Sequence, residues 1–145
     1  MLLRHLLTAA ALIAATTVVV AQSNPIETRR NLMKNVGAAA KLGGQMAKAE
    51  VPFELAKAQE VLSTFGSAAE TAHTHFPEDS KTGGETTAAP AIWESQAEFR
   101  SRFENWSKDI KQAAAETKDL PTFRTAFGNV TKACGSCHNT YRIKT

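Results

Sequence analysis

The chain is short of charge of one sign, of cysteine and of long apolar runs. Seventeen Lys and Arg stand against fourteen Asp and Glu, a formal net charge of +3 over 145 residues. The basic residues are scattered among acids, with no basic block and no basic stripe interleaved with aromatics, which argues against a nucleic-acid surface. The one extended apolar run, Leu6 to Val20, follows Arg4 and ends in the small-residue tail Val19-Val20-Ala21, the three parts of a secretory signal. Thr8, Thr16 and Thr17 interrupt a stretch already short for a bilayer span. Residues 1–21 are therefore expected to be a signal peptide, with cleavage before Gln22 and export to the periplasm. Residues 22–145 would then form one domain with a modest core and no membrane span.

Only two cysteines occur, and both lie in Cys134-Gly135-Ser136-Cys137-His138. In an oxidising compartment a disulfide is one reading, but a bridge across three residues closes a very small loop and constrains the unfolded chain little. A thioredoxin-like pair needs strand and helix alternating around it, which is not visible. A zinc site needs further ligands, and His73 and His75, which read as exposed, are the only other histidines after residue 21. C-x-x-C-H is the attachment pattern of a c-type haem. Two thiols form thioethers with the porphyrin vinyl groups, and the adjoining imidazole lies within reach of the iron. Positions i, i+3 and i+4 share one helix face, so Cys134, Cys137 and His138 can address one flat ligand.

No stretch alternates apolar and polar residues as a half-buried strand would, whereas four stretches carry helical periodicity. The first is expected from Asn24, a cap followed by Pro25 and Glu27, to about Ala49. Its inner stripe of Ile26, Met33, Val36, Gly37, Ala40, Gly43, Gly44 and Ala47 is rich in small residues. So many glycines on one face suggest that something bulky, a haem or another helix, approaches the backbone. The second follows Val51-Pro52, with Leu55, Ala58, Leu62, Phe65, Ala69 and Ala72 inward. A loop without regular structure is expected from Pro77 to Pro90. The third helix opens at Pro90 and places Ile92, Phe99, Phe103, Trp106, Ile110 and Ala113 on one side. The fourth repeats Phe123, Phe127, Val130, Cys134, Cys137 and Tyr141 at spacings of three and four. Together these predict an all-α, antiparallel four-helix bundle with a covalently attached haem in its apolar interior.

Arg29-x-x-x-Met33, the segment from Phe76-Pro77 through Ala89-Pro90-Ala91-Ile92-Trp93, and Cys134 through Arg142 together resemble the cytochrome c-prime family, including its low-spin, methionine-ligated relatives. The resemblance spans essentially the whole chain after the signal. It implies haem c, His138 as proximal ligand and a possible homodimer packed through the first two helices. It also implies that Met33, the fourth residue after Arg29, faces the distal side of the iron. Met33 then either ligates, as the run Leu32-Met33-Lys34 with Gly37 suggests, or covers an open site; without the family it is core filler. By the same resemblance Arg29 approaches a propionate, and Arg142 lies beside the proximal imidazole.

Two functions follow. A His/Met-ligated haem raises the reduction potential and suits one-electron transfer with periplasmic redox partner proteins. A five-coordinate iron would instead bind small gases such as nitric oxide. Haem-based catalysis ranks last, because the first-helix stripe offers no acid–base group beside Met33, so the chain is read as a carrier and not an enzyme.

Overall fold

The computed structural model describes residues 24–144; the expected signal peptide lies outside the described residues. Five α-helices follow in order: α1 (Pro25–Ala47), α2 (Leu55–Thr71), α3 (Ala91–Glu94), α4 (Gln96–Glu116) and α5 (Leu120–Tyr141). The described residues contain no β-strand, only an isolated antiparallel bridge between Ala88 and Arg142.

Helix ends follow local chemistry. At α1 the Asn24 side chain accepts the Ile26 amide at 3.0 Å, with Pro25 in the first turn. The helix stops where Ala49 turns left-handed, at φ 59°. There the Ala49 amide donates to the Met46 carbonyl and the Glu50 amide to the Gln45 carbonyl, the paired bonds that close a helix around a left-handed residue. At α5, Asp119 and Thr122 cap each other reciprocally.

The four long helices form a ring in which α1 packs on α2, α2 on α4, α4 on α5 and α5 on α1, the last pair least closely. Cross-helix bonds establish the antiparallel sense. Gln59, early in α2, donates to the carbonyls of Ala114 and Thr117 at the end of α4. Arg124, early in α5, donates through Nε to the carbonyl of Ala47 at the end of α1. The core is dominated by Phe65, Phe123, Met46, Leu62, Ile92 and Val130, all fully buried. Trp106 crosses it and donates to the Val130 carbonyl at 3.2 Å.

Several expectations are corrected. Leu55 is 44% exposed, because Phe53, tilted against Phe123 with ring centroids 5.8 Å apart, takes its place at that end of the seam. The third helical stretch is two helices: Ser95, which has little helical preference, leaves the helix at φ −139°, ψ 56°. The segment after Pro77 carries a 3₁₀ turn at Glu78–Ser80, and buried Ser80 anchors it. His73 and His75 are half-buried, since a 3₁₀ turn extends α2 and lays His73 against Phe103 at 6.0 Å. Gly37 is exposed. At Gly43 the bulky neighbour is the Phe127 ring, into which any Cβ would project.

Candidate functional site

The end of the bundle that gathers the start of α1, the segment 75–90 and the end of α5 also carries Cys134, Cys137 and His138, on the last turns of α5. Both cysteines are free thiols and half-buried. Burial pushes both thiol pKa values up, and for Cys137 the nearby Arg102 guanidinium partly opposes this. His138 lies at the surface with protein packed along one side. That partial burial, and then the charge of Arg142, push its pKa down, which favours the neutral imidazole that metal ligation requires.

Helix register relates α1 to this motif. Gly43 meets Phe127, and Ala47 is bonded to Arg124. Ten residues back along α1 from Gly43 is Met33; ten residues on along α5 from Phe127 is Cys137. Each step covers about 15 Å of axis, so Met33 stands level with Cys137 and His138. Arg124 reaches α1, and His138 follows it by close to four full turns, so it projects from the same side of α5. Met33 is half-buried against the core. Along both helices Gly37, Gly44, Gly128 and Gly135 have open space above their Cα atoms. The register thus puts Met33 of α1 and Cys134, Cys137 and His138 of α5 at one level of the bundle.

Arg29 and Arg142 are held differently. Arg29 is 5% exposed, and its two terminal nitrogens make four hydrogen bonds. One donates to the His75 carbonyl and Ser80 Oγ, the other to the Ser80 carbonyl and Thr86 Oγ1, at 2.7 to 3.1 Å. Its guanidinium also lies over the Phe76 ring at 4.6 Å. Arg142 caps α5 in extended conformation; its amide donates to the His138 carbonyl, and it bridges to Ala88. Arg102 of α4 was not singled out in the sequence, although its i,i+4 spacing to Glu98 was visible. Only the packing of α4 on α5 brings it to Cys137 and Tyr141.

These residues fit a covalently held haem: two unpaired thiols and an imidazole shifted toward its neutral form, spaced i, i+3 and i+4 on one helix. Relatives agree. A family profile described as Cytochrome C′ matches residues 24–142. The chain is 35% identical over 125 residues to cytochrome c′ of Rhodopseudomonas palustris, covering 86% of each. It is 29% identical over 147 residues to cytochrome c-556 of the same organism, covering 99% of each. The solved structure of cytochrome c′ from Rhodopseudomonas palustris superimposes with a TM-score of 0.82 at 34% identity, over 86% of this chain and 99% of that one. The chain belongs to the cytochrome c′ family and is a c-type cytochrome that binds covalently attached haem c.

Proposed function

We propose that the protein is a one-electron carrier of the periplasm, formed by residues 22–145 after removal of residues 1–21. In this reading Cys134 and Cys137 bear the thioether links, His138 is the proximal ligand and Met33 the distal one. When bound, the haem iron supplies the one-electron couple. The rest falls to the chain. His138 presents a neutral ring nitrogen, helped by burial and by the charge of Arg142. Met33 offers a thioether from the neighbouring helix, half-buried against the core.

The observation that carries the reading is the register of α1 against α5, level at Met33 and Cys137. Haem-loaded wild-type protein should show a low-spin spectrum, with sharp ferrous bands and a weak ferric band toward the red. Met33→Ala should turn it high-spin and let it take up carbon monoxide. An unchanged spectrum in that variant would exclude methionine ligation. A wild-type protein that is already high-spin and binds carbon monoxide would be the gas-binding form instead.

A further inference from the structure

Charge that looks scattered along the sequence is sorted by the fold. α1 carries four basic residues and one acidic; α5 and the residues after it carry four basic and none acidic; residues 48–119 between them hold eight basic and thirteen acidic. α1 and α5 are neighbours in the ring, so one side of the bundle is basic, whereas α2 and α4 opposite it are close to balanced, with five basic and six acidic residues, and most of the acidic excess lies in the connecting segments. Arg29 is buried, but Lys34, Lys41, Arg124, Lys132, Arg142 and Lys144 are all exposed. Arg30, Lys34 and Lys41, spaced by four and seven, run as one stripe along α1.

Lys57 of α2 and Arg102 and Lys111 of α4 each hold a carboxylate, whereas Arg100 and Lys108 of α4 do not. Among the described residues, none of Lys34, Lys41, Arg124, Lys132 and Arg142 has one, and on α1 only Arg30 is paired, to Glu85. On α1 and α5 these unneutralised cations are not offset by neighbouring acids, and they lie on the two helices that carry Met33 and His138. Two haem propionates would offset part of this excess.

We infer that the α1–α5 face is the docking surface for a separate electron-transfer protein that presents an acidic face. This rests on the electron-carrier reading above. A cluster of one sign of charge around the site of electron exit steers an oppositely charged partner and speeds encounter. The exposed large apolar side chains of the described residues are Leu55 and Ile143; on the basic face Ile143 stands alone between Arg142 and Lys144, too little apolar surface to insert into lipid, which favours a protein partner over a membrane.

Small oxidants of opposite charge test the surface. In each reaction one electron leaves the reduced holoprotein and reduces either hexacyanoferrate(III) to hexacyanoferrate(II) or tris(phenanthroline)cobalt(III) to the cobalt(II) complex. The holoprotein has a net charge close to zero, so overall charge predicts little salt dependence for either. A basic face predicts a rate with hexacyanoferrate that falls about tenfold from low to high ionic strength, and a rate with the cobalt complex that rises. The variant Lys34→Glu/Lys41→Glu/Lys132→Glu should lose that contrast. Lys57→Glu/Lys108→Glu/Lys111→Glu, with the same net charge, should keep it. The first variant should also elute from a sulfonate cation exchanger at lower salt than the second, with or without haem.

Equal behaviour of the two triple variants would overturn the docking surface. So would co-sedimentation of the holoprotein with phosphatidylglycerol vesicles together with no preference between oxidants, which would assign the face to a membrane. A high-spin wild-type spectrum overturns methionine ligation but leaves the contrast between the triples intact, so the two failures are distinguishable.

Discussion

At the scale of the residue, Arg29 carries the largest local burden. Burial pushes its guanidinium pKa down, yet a guanidinium stays charged under any ordinary condition, so its charge must be solvated by protein. Two carbonyls and two hydroxyls of residues 75–86 do this, with the Phe76 face adding a cation–π contact. Replacing it with methionine would leave buried acceptors without donors. Arg29→Met is expected to destabilise the protein by roughly 3 kcal/mol in urea unfolding, with Arg29→Lys recovering only part, because an ammonium cannot span both Ser80 and Thr86 in the same way. A loss below about 1 kcal/mol would show that the segment holds its place without the arginine. The same segment continues to Thr87, Ala88 and Ala89, whose backbone bonds to Tyr141, Arg142 and Ile143. Arg29 therefore braces the end of α5 that carries His138 as well as the start of α1.

At the scale of the element, the termini of α1 and α5 make contrasting cases. Ala49 adopts the left-handed conformation that closes α1, a region where a Cβ is crowded and glycine is not. Ala49→Gly should stabilise the protein by about 0.5–1 kcal/mol, measured as a raised urea midpoint at unchanged slope; a lowered midpoint would mean that the turn is held by other contacts. At the start of α5, hydrogen bonds from Thr122 to the Asp119 carboxylate hold its pKa below the ordinary value. A depressed carboxylate contributes stability above its unfolded-state pKa and loses it as pH falls through the lower folded-state pKa. Asp119→Ala should thus lower the thermal midpoint by a few degrees at neutral pH, and the gap to wild type should narrow in strong acid. A gap that stays constant down to acid pH would show that the carboxylate charge plays no part in the cap.

The elements themselves were largely legible from the pattern of residues, because helical period and capping are local. The seams of α4 and α5 emerge buried as their spacing predicts, apart from the half-buried thiols, and Asn24, Pro25 and Asp119 start helices where local rules put them. What escaped was set by distant partners. Gly43 is small because Phe127, eighty-four positions later, fills the space above it. Ser95 bends its stretch just where polar Gln96 interrupts the apolar spacing, and Leu55 loses its seam position to Phe53. His73 is drawn in by Phe103, leaving Nδ1 buried without a partner. None of these relations has a period that a single stretch of sequence could display.

At the scale of the whole molecule, the charge arrangement is the feature with the widest consequence. A chain with near-balanced charge acquires two unlike sides because its first and last long helices, both basic, are closed against each other by the ring. The salt dependence expected of the α1–α5 face is therefore a property of topology, absent from any composition figure.

The amino-acid order by itself determined the haem motif, the helical class and the antiparallel bundle, since covalent attachment chemistry and apolar periodicity act over a few residues. Tertiary structure alone decided which helices are neighbours. That choice sets Met33 level with Cys137, gives Arg29 its four acceptors in residues 75–86 and closes the two net-basic helices, α1 and α5, on each other. Such proximities arise only when the apolar seams close on one another, and closure is a property of all four helices at once.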